Sequence, residues 1–279
     1  MPQTDTHALD LLQSRYGAQA PALALALAAN PVLDSLLGHR SVRHFLPDAL
    51  PANTIETLVA AAQSAPSSSN LQTWSVIAVQ SQASRDRLAE LTGNQAHISR
   101  APLFLAWLAD LSRIARIAER AQRTAEGLQY LDAFLMAVVD AALAAQNAVA
   151  AAASLGLGTV YAGALRNRPE EVAELLGTPA GVFPVFGLVV GRPDPARPAA
   201  VKPRLPQQTV LHHERYQPPA TELQDIAAYD ATLRTFQASQ QMPAQDWSTL
   251  VLERLRDAPA LKGRARLAEA LHGAGFTLR

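Results

Sequence analysis

The chain has 279 residues, no cysteine, and 24 Lys and Arg against 24 Asp and Glu, so its formal net charge is zero. Without cysteine it has no disulfides, thiolate metal sites, iron–sulfur clusters or cysteine nucleophiles, and any redox chemistry requires a bound cofactor. A balanced charge gives no indication of binding to nucleic acid or to a membrane, so we expect small molecules or a second copy of the chain as partners.

Residues 1–38 are predicted to be a helical N-terminal extension. Two helices, from Thr6 to Tyr16 and from Ala20 to Ala29, are expected here, and Asn30-Pro31 is expected to break the chain after them. Acidic residues precede the apolar stretch at 21–29, which is atypical of an export signal. We therefore expect a cytoplasmic protein.

Residues 39–279 are predicted to form one α+β domain, because strands and helices follow each other without a strict βαβ alternation. The predicted strands are Trp74–Val79, Pro102–Leu108, Thr159–Ala162 and Val182–Val190, and the predicted helices are Ile55–Ala62, Ser84–Leu91, Ser112–Gln122, Leu128–Leu155 and Pro169–Leu176. Residues 192–219 contain seven of the 19 prolines, which predicts an extended arm. Helical patterns return from Glu222 to Arg279.

The long segment Leu128–Leu155 has almost no polar face, although Asp132, Asp140, Gln146 and Asn147 interrupt it. Polar groups are costly at membrane depth, so a helix buried in protein is the better interpretation. A surface helix of one domain normally shows a polar stripe. Burial inside a monomer and burial in a homodimer interface both explain its absence, and we favour the homodimer.

Two short segments concentrate positive charge. His39-Arg40-Ser41-Val42-Arg43 would place Arg40 and Arg43 on one face if it forms a helical turn, and guanidinium groups suit phosphate. In Lys202-Pro203-Arg204 the proline favours an extended chain, which would put both cations on one side. Each segment could be an anion site or a solvated surface turn.

Other local clusters give weaker indications. Ser67-Ser68-Ser69-Asn70 lacks the glycines of a hydrolase elbow, so it supplies either ligand donors or a helix stop. Gly156 and Gly158 follow a helix and precede a strand, the reverse of a dinucleotide fingerprint. His212-His213-Glu214 has no further ligand group at useful spacing, so we predict no metal site.

Taken together, seven motifs in order resemble the flavin-dependent nitroreductase family, and within it the branch of oxygen-insensitive NADPH nitroreductases and NADPH–flavin oxidoreductases. They are His39-Arg-Ser-Val-Arg-His-Phe45, Ser67-Ser-Ser-Asn-Leu-Gln72, Leu91-Thr-Gly-Asn-Gln-Ala-His97, Gln146-Asn147, Leu155-Gly-Leu-Gly-Thr-Val-Tyr161, Leu165-Arg-Asn167 and Lys202-Pro-Arg-Leu-Pro206. The resemblance runs from about residue 36 to the C-terminus, and the N-terminal extension is additional to it.

The resemblance implies a nitroreductase-like sandwich, with a central mixed β-sheet flanked by helices. It also implies a homodimer whose long buried helix lies at the interface, with FMN bound there. The implied activity is reduction of nitroaromatic compounds or quinones by NAD(P)H, in two-electron steps with ping-pong kinetics. The chemistry takes place on the flavin, so no catalytic side chain is assigned.

The resemblance also assigns site residues by position. The FMN phosphate, ribityl chain and pyrimidine edge are assigned to His39, Arg40, Ser41 and Arg43, with Lys202 and Arg204 completing the phosphate clamp. Further FMN contacts are assigned to Ser67, which could reach from the partner subunit, to Gln95, and to the loop of Tyr161, Ala162, Gly163 and Ala164. The substrate pocket is assigned to Ser68, Ser69, Arg166 and Arg264.

One departure from the family pattern concerns the electron donor. Relatives in this branch carry arginines that grip the NADPH 2′-phosphate, whereas Phe236–Asp246 contains none. Both NADPH and NADH stay open as donors, and the physiological acceptor is not identified. Two alternatives also stay open: a flavin reductase or specialised reductase with incidental nitro activity, and a flavin-binding module without turnover.

Overall fold

The structure is a computed structural model that describes residues 6–17 and 30–279. These residues belong to two compact units, residues 1–40 with 199–260 and residues 41–198 with 261–279. Helix α1 spans Thr6–Tyr16, as predicted. The predicted helix Ala20–Ala29 lies outside the described residues. The predicted division into residues 1–38 and 39–279 stays a prediction.

The second unit is built on a sheet of four strands, β1 (Trp74–Val79), β2 (Leu103–Asp110), β3 (Gly158–Ala162) and β4 (Val182–Gly191). The spatial order is β1-β2-β4-β3. Each neighbouring pair is antiparallel, and the parallel pairing is limited to an isolated bridge between Ser41 and Thr159. The α+β class is therefore confirmed, while the expected mixed sheet is mixed only through that bridge.

Helices cover this sheet. They are α3 (Thr54–Gln63), α4 (Gln82–Leu91), α5 (Ala96–Arg100), α6 (Ser112–Arg120), α7 (Leu131–Ser154), α8 (Pro169–Leu176) and α11 (Leu267–Gly273). Strand β2 is buried at all eight positions, as expected of a strand covered on both faces. One core cluster joins α3, α7, β2 and β4 around Trp107. A second gathers Phe183, Leu271 and Phe276.

Helix α7 is shorter than predicted, because residues 126–129 form a separate 3₁₀ turn before it. Its length and composition would suffice to cross a membrane, but its alanines 144, 145, 148 and 152 pack into the core around Trp107. Small side chains let the helix approach the sheet closely. Along its length runs an apolar stripe of Leu131, Leu135, Val139 and Leu143, which are 45%, 51%, 54% and 40% exposed within the chain.

The first unit contains α1, α2 (Pro31–Leu37), α9 (Glu222–Ser239) and α10 (Trp247–Leu255). Interpreting Asn30-Pro31 as a break missed α2. The Asn30 side chain accepts hydrogen bonds from the amides of Val32 and Leu33, so Asn30 caps the helix, and Pro31 occupies its first turn, where no amide is needed. Regular structure in the proline-rich arm is limited to a three-residue 3₁₀ turn, Gln207–Thr209, and an isolated bridge between Pro193 and Phe45.

Candidate functional site

In the first unit, one buried guanidinium links the two segments that carry the predicted phosphate clamp. Arg15 of α1 donates from Nη1 to the carbonyl oxygen of Lys202 (3.0 Å) and from Nη2 to those of Leu37 (2.6 Å) and His39 (3.0 Å). The amide of Arg204 donates to the carbonyl oxygen of Arg15 (2.9 Å). The structure therefore brings the backbones of His39, Lys202 and Arg204 together around Arg15.

The extended arm at 202–204 is also fixed from α9. The Tyr229 hydroxyl donates to the carbonyl oxygen of Pro203 (3.1 Å), and Pro203 is buried while Lys202 and Arg204 are exposed on either side of it. This alternation is that of an extended chain, in which residues i and i+2 share a side. The predicted extended chain agrees with this alternation, and the shared side of Lys202 and Arg204 stays a prediction.

His39 titrates in a positive environment. Burial first, and then Arg15 and Arg204, hold the pKa of His39 below its usual range. Burial and then Arg204 likewise lower the pKa of Arg15, against a smaller opposing effect of Tyr16. We call His39, Arg40, Lys202 and Arg204 the cation group. The positive charges of Arg15 and Arg204 beside His39 make this place favourable for an anion.

A cleft of about 490 Å³ lies beside the cation group. Lys202 and Arg204 line it together with residues of the segment 236–246. Tyr229 and Trp247 also line it, with their rings edge to face at 5.7 Å between centroids. The cleft therefore combines cationic and flat apolar surface, which suits a nucleotide with a phosphate and a planar ring.

In the second unit, Ser41 and Arg43 lie on an extended segment beside β3. Ser41 bridges Thr159, and the amide of Val42 donates to the carbonyl oxygen of Thr159 (2.9 Å). Val42 is buried, whereas Ser41 and Arg43 are exposed. The helical turn considered for residues 39–43 is therefore wrong, since pairing with β3 holds this segment extended. Gly158 permits the close approach, because a Cβ there would lie 2.7 Å from Val42 Cγ2.

The loop from Tyr161 to Ala164 follows directly from β3 and enters the 3₁₀ turn Gly163–Asn167. Burial raises the pKa of Tyr161, whose ring packs edge to face on Phe186. Arg166 donates from Nη1 to the carbonyl oxygen of Val185, and its guanidinium lies so close to Gly163 that a Cβ there would be 3.4 Å from Nη2.

Arg264 is brought to the same turn. Its Nε donates to Oδ1 of Asn167 (2.9 Å). Gly263 makes this approach possible, since its φ is 91° and a Cβ would lie 2.3 Å from the carbonyl oxygen of Asn167. The structure thus places two of the assigned substrate residues, Arg166 and Arg264, at one turn.

Gln95 precedes α5 and donates from Nε2 to the carbonyl oxygen of Thr92 (2.8 Å). Two residues further on, burial first, and then Arg43 and His44, lower the pKa of His97. Nε2 of His97 is buried without a hydrogen-bond partner among the described residues.

Residues 67–72, which we call the serine loop, are held by Asp140 of α7. The carboxylate is 2% exposed and accepts hydrogen bonds from Ser67 Oγ (2.7 Å) and the Ser68 amide (3.2 Å). It also accepts from the amide (3.1 Å) and hydroxyl (3.0 Å) of Thr73. The Ser67 hydroxyl further accepts from the Gln72 amide (2.7 Å), so its proton is donated to Asp140 and one acceptor lone pair remains for a ligand.

Comparison with known proteins identifies the chain. Residues 36–192 match the nitroreductase family, and residues 202–279 match the C-terminal domain of that family. The chain belongs to the nitroreductase family. The oxygen-insensitive NADPH nitroreductase of Salmonella typhimurium is 38% identical over 252 residues, which are 90% of this chain and 100% of that protein.

Two further nitroreductase-family relatives extend the comparison. The NAD(P)H-dependent FMN reductase of Bacillus subtilis is 42% identical over 74% of this chain and 83% of its own length. The solved structure of the NADPH:FMN oxidoreductase of Vibrio harveyi, complexed with NAD⁺, superposes with a TM-score of 0.79 at 34% identity, covering 90% of this chain and 100% of that one. Members of the family are typically homodimers that act on small molecules.

Two supporting residues of this nitroreductase-family chain were missed from the sequence. Arg15 lies before the matched region, in a helix whose side chains gave no local motif. Asp140 was noted only as an interruption of an apolar helix. A buried carboxylate needs partners, so a lone Asp in such a helix was itself a signal that it binds another part of the chain.

Proposed function

We propose that this chain is an FMN-dependent NAD(P)H oxidoreductase that reduces nitroaromatic compounds and quinones. The observation that carries the proposal is the cation group. The backbones of His39, Lys202 and Arg204 are held together by Arg15, and the pKa of His39 is lowered by burial and by neighbouring cations. Such a group fits the phosphate of FMN, because charge-assisted hydrogen bonds to a dianion relieve the repulsion.

The individual contacts are proposed as follows. The cation group binds the FMN phosphate. The ribityl chain and ring contact Ser41, Arg43, Ser67, Gln95 and the loop of Tyr161, Ala162, Gly163 and Ala164. After Tyr161 the loop carries only the small residues Ala162, Gly163 and Ala164, which fits the approach of a flat ring to its backbone. Ser68, Ser69, Arg166 and Arg264 bind the acceptor.

When bound, FMN supplies the two-electron redox chemistry. The chain itself has no cysteine, and so no thiol that could carry out such chemistry. The protein's own contribution is binding and electrostatics. A cation such as Arg43 near the pyrimidine edge of the ring would favour the form that carries more negative charge. Because donor and acceptor use the same pocket in turn, the kinetics are ping-pong.

The test is spectroscopic. The purified protein, supplied with FMN, should show bound-flavin absorbance that NADH or NADPH bleaches anaerobically and that a nitrofuran or a quinone restores. A protein that takes up no FMN overturns the proposal. Flavin that stays bound but is bleached by neither nicotinamide supports the alternative of a binding module without turnover.

A flavin reductase is the second candidate, and it is favoured by relatives named FMN reductase. Steady-state turnover of free FMN, a quinone and a nitrofuran, each with NADH and NADPH, separates the two. If free FMN has a kcat/KM well above that of both other acceptors, nitro reduction is incidental.

We further propose a cytoplasmic homodimer whose interface includes the apolar stripe of α7. Four large apolar side chains exposed at four-residue spacing on one helix form a surface that a second copy would cover. Light scattering should give twice the chain mass for wild type and a monomer for Leu135→Lys. The control Ile117→Lys changes a residue that is 61% exposed on α6, and should stay dimeric. A monomeric wild type contradicts the proposal.

A further inference from the structure

Arg15 is a charged residue in an unusual position. It is 6% exposed, and it lies in α1, before residue 36, where the match to the nitroreductase family begins. Burial of a guanidinium is costly unless its donors are satisfied. Three backbone carbonyls do this here, those of Leu37, His39 and Lys202.

Two of these three carbonyls belong to members of the cation group. Arg15 therefore fixes the backbone of His39, 24 residues later in the chain, and that of Lys202, 187 residues later. A planar guanidinium offers donors in a fixed fork, so it sets the distance between two chain segments better than a flexible ammonium.

The main chain of Arg15 adds a further connection. Its carbonyl oxygen lies in the last turn of α1, where carbonyls lack partners within the helix, and it accepts a hydrogen bond from the amide of Arg204. Thus one residue of α1 contacts the backbones of three of the four members of the cation group.

The charge of Arg15 acts in the same direction. Its strongest charged neighbour is Arg204, and its charge and that of Arg204 both affect His39. Arg15 adds a positive charge beside Arg204, and its donors are satisfied by carbonyl dipoles instead of a carboxylate. The side chains of the cation group then remain oriented by their backbones for an anion.

We propose that Arg15 is a positioning residue through which the N-terminal helix assembles the phosphate-binding group. This inference rests on the proposed binding of FMN. It gives α1 a task, namely discrimination in favour of the phosphorylated flavin. Riboflavin lacks the phosphate, so it provides a ligand that differs from FMN only in the group concerned.

The experiment compares the dissociation constants of FMN and riboflavin by quenching of flavin fluorescence on the apoprotein. The variants are Arg15→Met, Arg15→Lys and the control Arg215→Met, an exposed arginine of the same proline-rich arm. For Arg15→Met we expect the FMN constant to rise roughly tenfold or more, the value of one charge-assisted hydrogen bond, while that of riboflavin changes less than about twofold. Arg15→Lys should fall in between, and Arg215→Met should match wild type.

Each outcome decides. An unchanged FMN constant in Arg15→Met overturns the inference but leaves the proposed function intact. An equal rise for both flavins also overturns it, because that is the result of a general structural role. Failure of the wild type to bind FMN overturns the proposed function and this inference with it. If Arg15→Met does not fold, the ratio of the two constants in Arg15→Lys decides in the same way.

Discussion

The arm at 202–204 and the serine loop are each held by one buried charged side chain, and the two side chains have opposite sign. Arg15 donates to backbone carbonyls of the arm and of residues 37–39. Asp140 accepts from amides and hydroxyls of residues 67–73. A cationic anchor thus suits a segment meant for an anion, since it adds positive potential, whereas a carboxylate anchor would cancel it.

The two segments also differ in backbone strain. Within the serine loop, Ser69, Asn70 and Gln72 have φ of 48°, 56° and 52°, in the left-handed region. None of Lys202, Pro203 and Arg204 has a positive φ. Left-handed residues other than glycine persist only where their surroundings hold them. The hydrogen bonds of Asp140 therefore hold a strained backbone, while Arg15 joins segments whose backbone is already extended.

The largest effect is expected at Asp140. Asp140→Asn replaces an acceptor of four hydrogen bonds by an amide that donates toward the same N–H and O–H groups, and should lower the free energy of unfolding by about 2–3 kcal/mol. Urea unfolding of the apoprotein measures it. Asp132→Asn, an exposed change in the first turn of the same helix, should cost under about 1 kcal/mol.

Unchanged stability of Asp140→Asn would mean that other contacts suffice for the serine loop. Arg113 is the main one, because its guanidinium donates to the carbonyl oxygens of Gln72 (2.6 Å) and Trp74 (3.3 Å). The double variant with Arg113→Met should then show a loss of stability that neither single variant shows. In that case the strained loop is held by two side chains, Asp140 and Arg113, and not by one.

The next effect concerns the arm itself. Arg204→Ala removes a member of the cation group and should weaken FMN binding by about 1.5–3 kcal/mol, the value of a hydrogen bond to a charged group. Fluorescence titration measures it, with Arg215→Ala as the control from the same arm. An FMN affinity equal to that of wild type contradicts the assignment of Arg204 to the phosphate.

A pH dependence should distinguish the cationic anchor from the acidic one. Because burial, Arg15 and Arg204 lower the pKa of His39, the unfolded chain takes up a proton before the folded chain as the pH falls below about 6.5. The contribution of His39 to stability is therefore complete above that pH and is lost below it. His97, whose pKa is also lowered, acts in the same direction.

Thermal unfolding of the apoprotein between pH 8 and pH 5 measures this. His39→Gln should flatten the decrease of Tm on the acid side, and Arg15→Met should flatten it partly, since a neighbouring charge is removed. His97→Gln flattens it independently of Arg15. A His39→Gln profile that coincides with that of wild type would show that His39 is not the group responsible.

Local patterns in the sequence drew attention to the charged segments of the cation group and to the serine loop, but not to the side chains Arg15 and Asp140 that hold them. His39–Arg43 and Lys202–Arg204 are dense enough in charge to be noticed one segment at a time. Arg15 binds Lys202, which lies 187 positions away, and Asp140 binds residues 67–73 positions away. Each anchor is a single side chain on a helix. Which distant backbone such a residue satisfies is decided by tertiary packing, which local periodicity does not encode.

The same reason explains the fold differences. Strand positions followed from apolar runs, but the extended form of Ser41–Arg43 depends on pairing with Thr159, more than 100 residues later in the sequence. A charge pattern at i and i+3 fits a helical turn and a strand equally well until a pairing partner is known. The stripe on α7 could be read from its spacing, whereas the partner that covers it could not.

The smallest effect concerns the residues of the segment 236–246 that line the cleft beside the cation group. Met242, Pro243 and Gln245 line the cleft together with Lys202 and Arg204, and the segment 236–246 contributes no arginine. Ala244→Arg adds an exposed cation there and should raise kcat/KM for NADPH about two- to fivefold while leaving NADH unchanged, since only NADPH has the 2′-phosphate and exposed ion pairs contribute about 1 kcal/mol or less. The control Ala220→Arg adds the same charge at an exposed position outside the cleft lining.

Equal changes for both donors, or the same change in the control, would mean that the added arginine had altered only the overall electrostatic potential of the first unit. A change confined to NADPH in Ala244→Arg would instead show that one cleft serves both functions, with phosphate binding on the arm anchored by Arg15 and donor choice on the segment 236–246.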